Sequence, residues 1–312
     1  MSKEEIIHQV KITACNEELK KLELQWGRPK FTADDGLGPL DNLHQAGDAV
    51  VSVVSFFDNE LVSIGSGIMI GPGLMLTATH VLNEFPRSGP GPVMLTFLPE
   101  GAARAWIPTA TVTASGKSEF VMNDNKVISD LSVVSCGLNS EAHITHPLSL
   151  AAIELCLPLP GQRLWAVGFR HGAIDSGVAP ITPLVSSGLV TACYPHGRGE
   201  RMRSPCIEVS METLGGMSGG PVFNEGGRLI GIVSSSFDGG PTYVTLVWDA
   251  LRTSIDSLPQ EVWQDQPTGL AEGVQMGLVK IKGHFTSDAE RNVRITLSDE
   301  EMMLLVFTQG GI

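Results

Sequence analysis

Between positions 49 and 136 the chain repeats one pattern: short apolar, β-branched runs separated by turn residues. The runs 49–57, 61–64, 66–70 and 74–77 are broken by Asp-Asn, Gly-Ser and Gly-Pro-Gly, and 92–97, 110–114 and 131–135 continue the series. β-Branched side chains fit a pleated, half-buried surface, and the glycines and prolines between them favour tight reversals, so this stretch predicts one antiparallel β unit. A second series begins near Gly161 with 163–167, 186–191, 207–210, 221–223, 229–234 and 242–247. The pattern predicts two β-lobes in tandem.

The ends read differently. Ile6, Ile7, Val10, Ala14, Cys15, Leu19 and Leu22 recur at helical spacing among Glu and Lys, which predicts an amphipathic helix over 3–26. Residues 27–47 are rich in Gly, Pro, Asp and Asn and read as an irregular arm. Residues 249–258 are helix-like up to Pro259, and 260–273 read as a linker. Three further strands are predicted at 278–282, 292–297 and 302–307. The chain therefore divides into a helix and arm (1–46), a first lobe (47–140), a second lobe with a closing helix (141–259) and a β-rich extension (260–312).

Composition narrows the function classes. With 42% hydrophobic and 18% charged residues the chain is too apolar for disorder, and it has no 18-residue apolar run of the kind that spans a bilayer. The 35 glycines and 19 prolines are scattered, as many short strands require. A net charge of −13 argues against nucleic acid as a partner. The one basic group, Arg198, Arg201 and Arg203, reads as a solvated loop. Five cysteines without a C-x-x-C pair read as reduced thiols, and the polar, acidic start Met1-Ser-Lys-Glu-Glu has no leader-like apolar segment. The expected location is cytoplasmic, with no membrane association.

Candidate chemistry lies in three segments. Serine becomes a nucleophile when an imidazole can take its proton, a buried carboxylate orients that imidazole, and backbone N–H groups receive the developing oxyanion. In Gly215-Gly-Met-Ser218-Gly-Gly-Pro, the preceding glycines allow a sharp turn that directs the Gly216 and Ser218 N–H groups into one space. His80 stands at the end of a predicted strand, after Thr77-Ala-Thr. Asp130 immediately precedes the apolar run 131–134; its competitor, Asp124, sits in the turn-like Asn-Asp-Asn-Lys.

Together, Thr77-Ala-Thr-His80-Val, Ser129-Asp130-Leu-Ser-Val-Val and Gly-Met-Ser218-Gly-Gly-Pro resemble the His, Asp and Ser motifs of the trypsin-like (chymotrypsin-fold) serine peptidases, in the same chain order. The resemblance implies an all-β fold of two packed antiparallel six-stranded barrels with the site between them. It implies an endopeptidase with His80, Asp130 and Ser218 as triad and Gly216 and Ser218 as oxyanion donors, acting on a protein or peptide without a cofactor. Met217 replaces the Asp that receives the new N-terminus in secreted digestive members, so activation through that ion pair is unavailable. The motif wording is closer to the bacterial HtrA-like and glutamyl-endopeptidase-like branches, without room for a PDZ domain. The expectation is a regulatory bacterial protease whose terminal segments dock a partner protein.

The resemblance also suggests where specificity resides. Glu212, six positions before Ser218, would form an acidic pocket floor with Thr213 on the wall, favouring cleavage after Arg or Lys. An arrangement with Glu212 on the surface and a small pocket behind Thr213 stays open. Val233, Ser234, Ser235 and Ser236 would form the edge that pairs with substrate.

Three competing readings remain. Gly216-Met-Ser218-Gly-Gly220 also satisfies the nucleophile elbow of α/β-hydrolase esterases, but a strand rather than a helix follows it. A protease-like scaffold that binds without cutting is the second. For metal, His143-Ile-Thr-His146 lacks a third ligand at suitable spacing and reads as a solvated loop.

Overall fold

The β-branched runs form strands that close into two barrels. The computed structural model describes residues 14–32, 36–40, 44, 48–57, 60–84, 91–117, 126–170, 172–174, 183–199, 202–236, 240–288 and 290–309. The first barrel comprises β1 (Val50–Phe57), β2 (Glu60–Gly71), β3 (Leu74–Thr77), β4 (Val93–Phe97), β5 (Ala103–Lys117) and β6 (Lys126–Leu138). Their order is β2-β1-β4-β5-β6-β3, and pairing of β2 with β3 closes the ring. The second comprises β7 (Arg163–Phe169), β8 (Pro183–Tyr194), β9 (Cys206–Val209), β10 (Pro221–Phe223), β11 (Leu229–Ser236) and β12 (Thr242–Leu246). Here the order is β10-β7-β8-β9-β12-β11, closed by β10 with β11. All pairs within both rings are antiparallel, as the sequence predicts.

Closure removes the exposed edges that an open sheet presents. The barrel walls are buried on both faces, with residues such as Val51, Val53, Ile68, Met75 and Leu76 in one barrel and Val167, Ile207, Ile232 and Val244 in the other, all fully buried. Each such side chain contributes roughly 1.5–3 kcal/mol on leaving water. At the seam, Phe97 of β4 meets Phe169 of β7 edge to face, with ring centroids 5.4 Å apart.

The connector between the barrels is held by Arg104 of β5. Its fully buried guanidinium donates to the carbonyls of Ala142, His143, His146 and Pro147. Burial lowers its pKa to about 10, with the charge of Asp48 acting against the shift. The His143–His146 loop is thus tethered through its backbone.

The ends depart from the sequence reading. Residues 3–13 of the expected helix lie outside the described residues; beyond them stand a 3-10 helix, Asn16–Lys21, and a strand, Leu24–Gly27, paired in parallel with Leu148–Ala151. Pairing with a distant strand has overridden the local helical period here. Described parts of the arm pack on the second barrel: Phe31 stacks on Trp165 with centroids 6.1 Å apart, and Gly38–Pro39 adds to β8. The helix expected over 249–258 is only a 3-10 helix, Val247–Arg252.

The supposed linker is packed as well, since Trp263 is fully buried and its indole N–H donates to the Pro72 carbonyl at 2.7 Å. A short helix, α2 (Leu270–Gln275), follows it. Of the three further strands expected, Ile281–Lys282 and Val293–Thr296 form. The run 302–307 lies instead in helix α3 (Asp299–Gln309). A capping box explains this: the Ser298 N–H donates to Glu301 at 2.6 Å and the Glu301 N–H to Ser298 Oγ at 3.3 Å.

Candidate active site

Strand β3 ends at Thr77, and a single helical turn, α1 (Thr79–Asn83), carries His80 out of the first barrel. Asp130 lies within β6, whose residues Ser132–Ser135 pair with β3. The ladder therefore brings the two side chains together. His80 Nδ1 lies 2.9 Å from Asp130 Oδ2 and 3.1 Å from Oδ1, and the His80 backbone N–H donates to Oδ1 at 3.0 Å. Ser234 of β11 donates its hydroxyl to Asp130 Oδ2 from the second barrel. Asp124 lies outside the described residues.

Burial alone would lower the His80 pKa. The Asp130 hydrogen bond and charge, with a smaller contribution from Glu84, outweigh it, and the net shift is upward. The imidazole side chain remains 38% exposed, open to an incoming group.

Ser218 reaches this corner from the second barrel. Its carbonyl accepts from the Ser66 N–H at 2.8 Å, and Gly219, at φ +79°, lies so close to β2 and β3 that a Cβ there would overlap Ser66 O and Thr77 Oγ1. The serine loop thus lies against the strand end that leads into His80. The Ser218 side chain is half-buried and, among the described residues, its hydroxyl forms no hydrogen bond. The backbone around it is fixed: the Met217 N–H donates to Leu214 O at 3.0 Å, the Gly220 N–H to Met217 O at 2.9 Å, and the Gly219 N–H to Val233 O at 2.7 Å. Gly216 takes φ +96°, a conformation that favours glycine. Among the described residues neither the Gly216 nor the Ser218 N–H donates to another protein group, which leaves both for a ligand oxygen.

The expected specificity residues are divided. Glu212 is exposed, whereas Thr213 is buried with its hydroxyl 3.0 Å from that of Thr242. The loop turns the threonine inward, where Thr242 offers it a buried polar partner, and leaves Glu212 at the surface, the alternative arrangement open in the sequence. Val233 has both backbone groups bonded to the serine loop, and Ser234 is turned inward to Asp130. Ser235 is exposed, and among the described residues strand β11 beyond Val233 pairs only with β12. Sequence reasoning placed Ser234 at the substrate edge and missed its bond to Asp130.

A cleft of about 280 Å³ opens beside His80. Thr79, His80 and Asn83 form one side, Ile128 to Asp130 the next, and Met202, Arg203 and Ser204 the third. Ile128 is 68% exposed, an unusual position for an isoleucine beside a charged pair. The third wall is braced by Arg198, whose guanidinium lies over the rings of Tyr243 and Tyr194 at 4.6 and 5.5 Å. The Tyr243 hydroxyl donates to Glu208 at 2.7 Å.

Other nucleophiles have little support. The five cysteines form no disulfide; burial raises the thiols of Cys156, Cys193 and Cys206 to about 12 and that of Cys136 further still. Such thiols are poor sources of thiolate. Among the described residues no cluster of three His, Cys, Asp or Glu side chains suited to a metal ion occurs, and no helix is long and apolar enough to cross a membrane.

Comparison with known proteins agrees with the architecture. A family model described as a trypsin-like peptidase domain matches residues 65–232, more than half of the chain. No curated protein sequence matches significantly. Among solved structures, the apo protease domain of MamO from Magnetospirillum magneticum is similar at 20% identity and a TM-score of 0.44, over 66% of this chain and 96% of that one. HBP, solved at atomic resolution, is similar at 15% identity and a TM-score of 0.46, over 68% of this chain and 90% of that one.

Proposed function

Since the chain belongs to the trypsin-like peptidase family, we propose that it is a serine endopeptidase in which Ser218, His80 and Asp130 act as one unit on a protein or peptide substrate. The observation that carries the reading is the Asp130 carboxylate bonded to His80 Nδ1, beside a serine loop whose Gly216 and Ser218 N–H groups are unengaged. With Nδ1–H held by Asp130, Nε2 is the imidazole nitrogen able to accept a proton. Ser218 Oγ attacks the scissile carbonyl as its proton passes to His80 Nε2. The carbonyl oxygen becomes an oxyanion received by the Gly216 and Ser218 N–H groups. His80 then gives the proton to the leaving amine, and an acyl-enzyme remains on Ser218. Water, deprotonated by His80, releases the acid and restores the serine.

The extended substrate would pair with the free edge of β11 near Ser235 and lie along the cleft beside His80. Regulation by a partner protein would act on surfaces that the terminal segments leave open, such as the α3 side exposing Met302, Met303 and Val306.

A second reading, a scaffold that binds peptide without cutting it, rests on the absence of a hydrogen bond to the Ser218 hydroxyl among the described residues. Such bonds often tighten only when substrate is present. Labelling with a fluorophosphonate probe separates the two. The peptidase reading expects covalent labelling of wild type and none of Ser218→Ala. It also expects Ser218→Ala, His80→Ala and Asp130→Asn each to cost about 10³-fold or more in kcat with the fold retained. A wild-type protein that takes no label, or Ser218→Ala that still cleaves casein, would overturn it.

A further inference from the structure

The sequence Gly65-Ser66-Gly67 places a second hydroxyl, after that of Ser63, in β2. Ser66 is fully buried, and a buried hydroxyl without partners would be costly. The partners of its hydroxyl and of its N–H belong to the other barrel. Ser66 Oγ donates to the Gly216 carbonyl at 2.7 Å and accepts from the Phe169 N–H at 2.9 Å, while the Ser66 N–H donates to the Ser218 carbonyl at 2.8 Å. Thr77, three residues before His80, steadies the same residue by donating Oγ1 to Ser66 O at 2.7 Å. The surrounding backbone leaves no slack, because a Cβ on Gly168 or Gly219 would overlap Ser66 atoms.

We infer that Ser66 is the positioning residue of the oxyanion site: it fixes the serine loop so that the Gly216 and Ser218 N–H groups face the developing charge. The inference rests on the peptidase reading. Its physical basis is the rigidity of peptide planes. Holding the Gly216 carbonyl fixes the plane after Gly216, and the residue's φ of +96° together with its ψ then sets the direction of its N–H. Holding the Ser218 carbonyl from one side and the Met217 carbonyl from Gly220 on the other fixes the peptide that carries the Ser218 N–H. The Phe169 N–H occupies a lone pair of the hydroxyl, which leaves its hydrogen directed at Gly216 O. Because Ser66 belongs to the first barrel and Gly216, Phe169 and Ser218 to the second, the oxyanion geometry is set only when the barrels are docked.

The test compares wild type with Ser66→Ala and with Ser66→Cys, which keeps the side-chain size but is a weak donor. The expected result for Ser66→Ala is a fall in kcat of roughly 10- to 100-fold with KM within about twofold, since the interaction matters most when charge develops. Affinity for a peptide aldehyde, to whose carbon Ser218 Oγ adds as its proton passes through His80 to the new oxygen, should fall in the same proportion. Peptide binding to Ser218→Ala should be unchanged when Ser66→Ala is added, and Ser66→Cys should be intermediate. Amide exchange over 214–219 should quicken at least about tenfold in Ser66→Ala while that of β4 and β9 is unchanged. An unchanged kcat, a loss confined to KM, or unchanged loop exchange would overturn the inference. Failure of wild type itself to turn over substrate would overturn the peptidase reading instead, and the exchange measurement would still decide whether Ser66 holds the loop.

Discussion

Ser234 donates its hydroxyl hydrogen to Asp130 Oδ2, the same carboxylate oxygen that lies 2.9 Å from His80 Nδ1. One side chain from the second barrel therefore bears on the orientation of a pair built by the first. Replacing Ser234 with Ala removes a hydrogen bond to a charged group, an interaction of about 1.5–3 kcal/mol. The expected outcome is a kcat lower by about tenfold with KM little changed, measured on a chromogenic peptide. A change confined to KM would place Ser234 in substrate binding instead.

The pH dependence follows from the competing influences on His80. Burial disfavours the imidazolium, but Asp130 and Glu84 favour it more strongly. Activity that needs neutral His80 should rise through a midpoint above the ordinary histidine value. In the Ser218→Ala protein, NMR titration should find the same midpoint, and adding Asp130→Asn should move it down, because burial then prevails. The sign carries over to stability: the pair's contribution is full below the unfolded histidine pKa and is lost as pH rises through the folded value. A midpoint unmoved by Asp130→Asn would contradict this account.

Specificity should be insensitive to Glu212. Its side chain is exposed while Thr213 turns inward to Thr242, so Glu212→Gln should leave the residue preferred before the cut unchanged in a peptide library. Arg203→Glu, in the cleft beside His80, should alter the preference between acidic and basic neighbours of the cut by up to about fivefold, the scale of an exposed charge pair. A dominant effect of Glu212→Gln would restore the acidic floor.

Trp263 ties the segment after the second barrel to the first. Its ring packs against Gly71 and Gly273, and its N–H bonds to Pro72. Trp263→Ala should destabilise the protein by about 3–5 kcal/mol, measured by urea unfolding. A loss below about 1 kcal/mol would mean that the segment is dispensable to the first barrel.

The legible features were local ones. The barrel strands announce themselves through β-branched runs bounded by turn residues, and Ser218 through the glycines on either side of it. What escaped was set by partners far along the chain. Leu24–Gly27 has its strand neighbour at Leu148–Ala151, and Ser66 meets Gly216 and Phe169, 150 and 103 residues away. The direction of Glu212 depended on whether Thr213 would find Thr242. Helix α3 is a different kind of miss, because Ser298 and Glu301 spell its start in the sequence. The apolar run 302–307 suggested a strand only because its length suits either element.

The connector between the barrels has one further consequence, for the order in which the protein can assemble during synthesis. Leu148–Ala151 pairs with Leu24–Gly27, and Ile153–Glu154 pairs with Ile281–Lys282, where Lys282 reaches Glu154 at 2.5 Å. The two flanking segments also meet directly, with the Lys280 ammonium 4.1 Å from the centre of the Trp26 ring. A ribosome that has made both barrels has still not supplied the last partner of the segment joining them. The nascent chain must keep the outer side of Ile153 and Glu154 unpaired until residue 282 has left the exit tunnel, so the final docking of the connector waits on a segment made after both barrels.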